Sequence, residues 1–267
     1  MKSEPTVHAR VQAIFEIAQD LLKASGPLHP ETNFAADTKL VNFRTYDVLR
    51  NQVMVGVTNL KIAAEMSKTP LSSTFGTHLV ALRPALVSFS KATWMLAKSD
   101  SQNRIERAAG LVIADRGKGR QAMDNASKTH ENEGFQAIGE AFEKAQISIT
   151  AELARVGLTP ERPPGDTRLI ESLGDSIDHY YGSGGTARQD ALMLWNASSS
   201  LSHGERWFSQ LYPHLASVLT DRSLDVVCSG FNLVNLHTLQ ELVDAKGLVR
   251  YPEVIDTEAQ TDSATPG

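Results

Sequence analysis

The sequence predicts an all-α protein, a bundle of about seven helices with no significant β-sheet. Three observations predict it. Apolar residues recur at spacings of three and four through most of the chain. The breaks in that rhythm fall at glycine and proline clusters, such as Ser25-Gly26-Pro27 and Gly182-Ser183-Gly184-Gly185. No stretch shows the period-two alternation of a half-buried strand.

Taken in order, Val11, Ile14, Phe15, Ala18, Leu21 and Leu22 mark an amphipathic helix over Thr6–Ala24, and Leu28–Phe34 is a connection. Thr38–Ser67 reads as one long helix, with Gly56 as a kink or a close helix contact. Gly76–Ala97 is the next, and Pro84 places its regular part from about Arg83, with proline in the first turn. Ser101–Asp115 follows, and Arg104 and Arg107 share one of its faces. Arg116-Gly-Lys-Gly-Arg120 is a basic loop or frayed helix, and the residues to Asn132 are poorly patterned. Glu133–Val156 is helical up to Gly157.

Thr159–Gly165, with three prolines, is the best internal linker. Thr167–Tyr181 is a short helix. Thr186-Ala-Arg-Gln189 has the form of a capping box and starts a helix running to about Tyr212–Pro213. Ser223–Ala245 is the last helix. Residues 1–251 thus form a single α-helical domain, and 252–267 an acidic tail expected to be disordered.

The net charge is −5, and the tail holds four acidic residues and no Lys or Arg, so the body is near neutral. Such a body exerts no general attraction on nucleic acid or an anionic membrane. The one cysteine, Cys228, sits among apolar neighbours and cannot form an intrachain disulfide. A buried thiol in a reducing, cytoplasmic setting is the expectation. No run of apolar residues is long enough for a membrane span, and the first residues do not read as a signal peptide.

The most unusual segment is Trp195–Trp207, Trp-Asn-Ala-Ser-Ser-Ser-Leu-Ser-His-Gly-Glu-Arg-Trp. On a continuous helix Ser199, His203 and Trp207 lie four apart and touch, while Leu194, Leu201 and Phe208 form a core seam. Serine competes for backbone hydrogen bonds and weakens helices. Four serines here point either to a tight helix crossing or to a polar pocket.

The segment resembles a late Ser-x-x-His-Gly-like motif in a group of bacterial all-helical proteins with no established activity. Trp94-Met95-Leu96 followed by Arg104 and Arg107 is similar to an earlier motif of that group. The group's upstream glutamate has no counterpart in Val87-Ser88-Phe89-Ser90. The resemblance implies a helical bundle, related at most at fold level to HEPN bundles. It singles out Trp94, Arg104, Arg107, Ser199, Ser202, His203 and Gly204.

Trp195, Ser199, His203, Arg206 and Trp207, with Arg104 and Arg107, form the expected ligand-binding set: tryptophan walls, hydroxyl and imidazole contacts, and a guanidinium for an anion. The leading expectation is a non-catalytic protein that binds a protein partner or small ligand, with a homodimer among the arrangements considered. The alternative is a HEPN-type ribonuclease using His203 or His214 with an arginine, although seven residues separate Arg206 from His214 where that motif has four to six. Ser199 or Ser202 with His203 lacks a third catalytic group, and no Gly-x-Ser-x-Gly elbow exists. The pairs Asp175/His179 and His237/Glu241 are too few for a metal site. Neither Gly117-Lys118-Gly119 nor Gly182-x-Gly184 has the context of a phosphate loop. No cofactor is expected.

Overall fold

The computed structural model describes residues 6–23, 28–37, 40, 43–68, 76–98, 100–130, 133–244 and 246–250. The acidic tail lies outside them. Among the described residues the fold is all-α. Its helices are α1 (Val7–Lys23), α2 (Asn33–Ala36), α3 (Thr45–Ser67), α4 (Thr77–Leu96), α5 (Ser101–His130), α6 (Glu133–Arg155), α7 (Asp166–Tyr181), α8 (Thr186–Ser202) and α9 (Arg206–Glu241). The one β feature among them is an isolated bridge between Val243 and Val249. None of the described helices is long and apolar enough to cross a membrane.

The bundle is built round α4. It packs against α3, α5, α7, α8 and α9, so residues on every side of it are buried. A helix apolar all round can be stable in water only in this central position. Gly56 makes the α3–α4 contact possible: a Cβ there would lie 2.3 Å from the Phe89 ring. The glycine is thus a close helix contact. Phe89 in turn meets Phe231 of α9 edge to face, with centroids 5.8 Å apart. Cys228 is fully buried beside this contact on α9, and burial pushes its thiol pKa up to about 12.

Several boundaries differ from the sequence expectation, each for a physical reason. α3 begins at Thr45, because Arg44 is extended and its guanidinium forks onto Asp47 in the first turn. α4 begins at Thr77, after Gly76 at φ 78°, and carries Pro84 in its interior. α5 runs unbroken through the basic glycine-containing stretch to His130. There Gly119 faces the Phe142 ring and Gly117 faces Gln146, so both glycines serve close approach to α6. Gln146 also donates to the Ile113 carbonyl at 2.7 Å.

The proline segment after Gly157 is no free linker. The Glu161 N–H donates to the Glu106 carbonyl at 3.0 Å, and the Thr159 N–H donates to the Glu106 carboxylate at 2.9 Å. The segment is a strap laid along α5. At the start of α8 the expected capping box is absent. Gly185 occupies the N-cap, and the donors of Ala187 and Arg188 go to the Asp178 carboxylate of α7, each at 3.0 Å. Desolvation opposes ionisation of Asp178, but the hydrogen bonds from Ser183, Arg188 and Ala187 outweigh it and lower its pKa.

Candidate functional site

The Trp195–Trp207 segment is a helical hairpin turn, and this corrects its reading as one helix. α8 ends at Ser202, with His203 as its C-cap. Gly204 then takes the left-handed conformation, φ 67°. The Glu205 N–H reaches back to the Ser200 carbonyl at 2.9 Å, and the Gly204 N–H to Leu201 at 3.2 Å. This six-to-one bond round a left-handed glycine is the Schellman stop. Trp207 and Phe208 therefore belong to α9 and do not continue the faces of Ser199 and Leu194. α9 runs from Arg206 straight through Pro213 to Glu241.

The serines do helix-end and packing work. Ser198 is fully buried and donates to the Trp195 carbonyl at 3.0 Å. Ser202 donates to the Ser198 carbonyl at 2.8 Å, and Ser200 to the Glu205 carboxylate at 2.8 Å. Trp195 and Ser199 are half-buried and His203 is exposed. The three share the outer side of α8, where Arg83 of α4 lies 4.0 Å over the Trp195 ring. The side chains of Arg206 and Trp207 are outside the described residues. Arg206 and His214 are eight residues apart on α9, a rise of about 12 Å and a rotation of about 80°. One chain does not bring them face to face.

Arg104 and Arg107 go elsewhere. Arg104 is 1% exposed. It binds both carboxylate oxygens of Asp37 at 3.2 Å, and its Nη1 lies 2.9 Å from Glu241 Oε2. Burial raises the pKa of both acids while Arg104 works to lower them. Arg107 donates to the Trp94 carbonyl at 2.6 Å and to Glu161 of the strap at 3.0 Å, and stacks on the Trp94 ring at 4.8 Å. Trp94 and Arg107 thus meet. Both arginines tie segments of chain to α5, and neither joins the Trp195 face.

The sequence reading missed a cavity of about 380 Å³ between α3, α5 and α6. Phe43, Val48, Leu111, Val112, Phe142 and Ile149 form its apolar walls. Gln52 of α3 lines it, is 5% exposed, and makes no hydrogen bond within the protein among the described residues. Its charged lining is Arg44, Asp47, Asp115 and Arg116. Arg44 holds Asp47 at 2.7 and 2.8 Å, and Lys91 holds Asp115 at 3.0 Å. One signal was readable: Gln52 lies on the buried face of α3, with Leu49, Val53 and Gly56, where an amide is out of place.

A second cavity of about 550 Å³ adjoins it across Leu111 and Asp115, lined by Lys91, Lys118, Arg162 and the strap prolines. Among the described residues no group of three or more His, Cys, Asp and Glu is placed to hold a metal ion. No protein-family model, curated protein or solved structure matches the chain.

Proposed function

We propose that the protein is a non-catalytic, small-ligand-binding helical bundle whose ligand sits in the α3–α5–α6 cavity. Gln52 carries the reading. Its amide sits on the buried face of α3, lines the cavity, and makes no hydrogen bond among the described residues, so it is placed to bond an occupant. A ligand that hydrogen-bonds the amide and packs on the apolar walls uses both features of the lining. The cavity is of the size that small-molecule sites have, mostly apolar with a few convergent polar groups.

The lining supports binding over chemistry. Among the described residues it contains no histidine, cysteine, serine, threonine or lysine, and its two carboxylates are each held by a cation. The described lining thus offers no free general base or nucleophile. The buried thiol Cys228 fits a reducing, cytoplasmic setting. A bacterial source enters this reading through the family resemblance alone.

The test is Gln52→Leu, which keeps the volume and removes the amide. A screen of small aromatic and alicyclic compounds by thermal shift should stabilise the parent and leave the variant unmoved. Compounds that stabilise both proteins equally would place the ligand elsewhere. The second reading is a partner-docking face on the outer side of α8, favoured by Arg83 stacked on a half-buried Trp195 beside exposed His203. Trp195→Ala would then abolish capture of the partner without changing small-molecule binding.

A further inference from the structure

We infer that the ligand of this cavity carries one carboxylate on an apolar, planar body, and that Arg116 is the counter-ion that selects it. The inference rests on the cavity reading above and adds the chemistry of its occupant.

Most of the charges around the cavity are compensated within the protein. Arg44 is neutralised by a two-pronged pair with Asp47, and Asp115 by Lys91. In the basic stretch of α5, Arg120 is held by Glu143 at 2.6 Å, and Lys118 lines the neighbouring cavity. Arg116 is half-buried, lines the α3–α5–α6 cavity, and has no carboxylate partner among the described residues. A guanidinium on a half-buried residue that lines a cavity with Phe142 and Ile149 attracts an anion more strongly than one in bulk water. Its planar fork matches a carboxylate.

The count of charges sets the ligand's charge. One uncompensated cation calls for a monoanion. Asp47 and Asp115 at the same lining oppose a dianionic phosphate. Phe43 and Phe142 line the cavity and suit a flat apolar body. The free Gln52 amide can donate an N–H to the carboxylate or meet another polar atom of the ligand.

The experiment uses the full chain and two probes of one shape, 1-naphthoate and the neutral 1-naphthamide, titrated calorimetrically at pH 7. The parent should bind naphthoate about tenfold or more tighter than naphthamide. Arg116→Gln, checked for an unchanged melting profile, should remove that preference and leave naphthamide within about twofold. Gln52→Leu should weaken both probes. Equal affinity for the two probes, or a preference that survives Arg116→Gln, overturns the charge assignment while the cavity reading stands. Binding of neither probe, or binding of both unchanged by Gln52→Leu, overturns the cavity reading and this inference together.

Discussion

Replacing Arg104 by methionine should unfold the junction of α2, α5 and α9 in a pH-dependent way. Methionine keeps the length of the chain and removes the charge. The side chains of Asp37 and Glu241 are 2% and 10% exposed, so the variant leaves two buried carboxylates facing each other without a cation. Removing one partner of a buried ion pair costs about 3–5 kcal/mol. For a chain of this size that is a fall of roughly 6–20 °C in melting temperature. The sign with pH follows from the raised acids. Burial lifts both folded pKa values above their reference values of 3.8 and 4.5, so the folded state favours the protonated forms. The penalty is absent below those reference values and grows as pH rises through the folded ones. In the parent the Arg104 charge counters it; in the variant only the hydrogen bonds of Ser101 and Thr45 to Asp37, and Asn33 and His237 at Glu241, remain to do so. The stability deficit should therefore be largest at pH 7 and shrink toward pH 4.5, measured by urea unfolding at each pH. Adding Asp37→Asn and Glu241→Gln to the variant should recover much of the loss at pH 7. A deficit below about 1 kcal/mol, or one equal at pH 4.5 and pH 7, would refute the assignment of this cluster as a buried charge junction.

Two further substitutions probe the scaffold around the cavities. Gly110→Ala puts a Cβ 1.8 Å from the Glu161 carbonyl oxygen, which is backbone and cannot swing away. The strap should lift from α5, with a loss of about 1–3 kcal/mol or more, read as faster proteolysis within 159–165; unchanged cleavage would show the strap is not held there. Asp178→Ala removes the acceptor for the first donors of α8 and should cost about 1–2 kcal/mol at pH 7. Because the folded pKa of Asp178 is lowered, that contribution is present above the reference value of 3.8 and is lost as pH falls through the folded value. Parent and variant melting curves that stay apart to the lowest pH would contradict the cap.

The helices were legible because burial imposes the 3.6-residue rhythm on any chain that must cover a core. α1, α6 and α7 fall within a residue or two of their expected ends. What failed was the meaning of glycine and proline. Gly117 and Gly119 look like a break, yet they sit in mid-helix because Gln146 and Phe142 need the space. Gly204 looks like one small residue among serines, yet it ends a helix at φ 67°. A glycine is a hinge, a stop or a contact according to what lies opposite it, and that comes from distant sequence. The same holds for the caps: Asp178, not Thr186, receives the α8 donors, because α7 brings it across the turn.

The arginines of α5 show how far the site itself could be read. Arg104, Arg107, Arg116 and Arg120 look alike in sequence, and the two nearest to Trp94 drew attention first. Their partners decide their roles. Asp37 and Glu241 come from α2 and the end of α9, Glu161 from the strap, and Glu143 from α6. Each brings a carboxylate to one of Arg104, Arg107 and Arg120, and each contact fixes a segment of chain. A guanidinium so neutralised has little attraction left for a ligand's anion, and breaking its pair to bind one would leave the displaced carboxylate uncompensated. Arg116 alone of the four lacks a carboxylate among the described residues, and it lines a cavity in which Gln52 makes no hydrogen bond among them either. A cation and an amide left without protein partners at one largely apolar cavity are a stronger pointer to a ligand than an unusual run of residue types. Gln52 stood out on the buried face of α3, but Arg116 could not be recognised until the partners of every neighbouring charge had been placed.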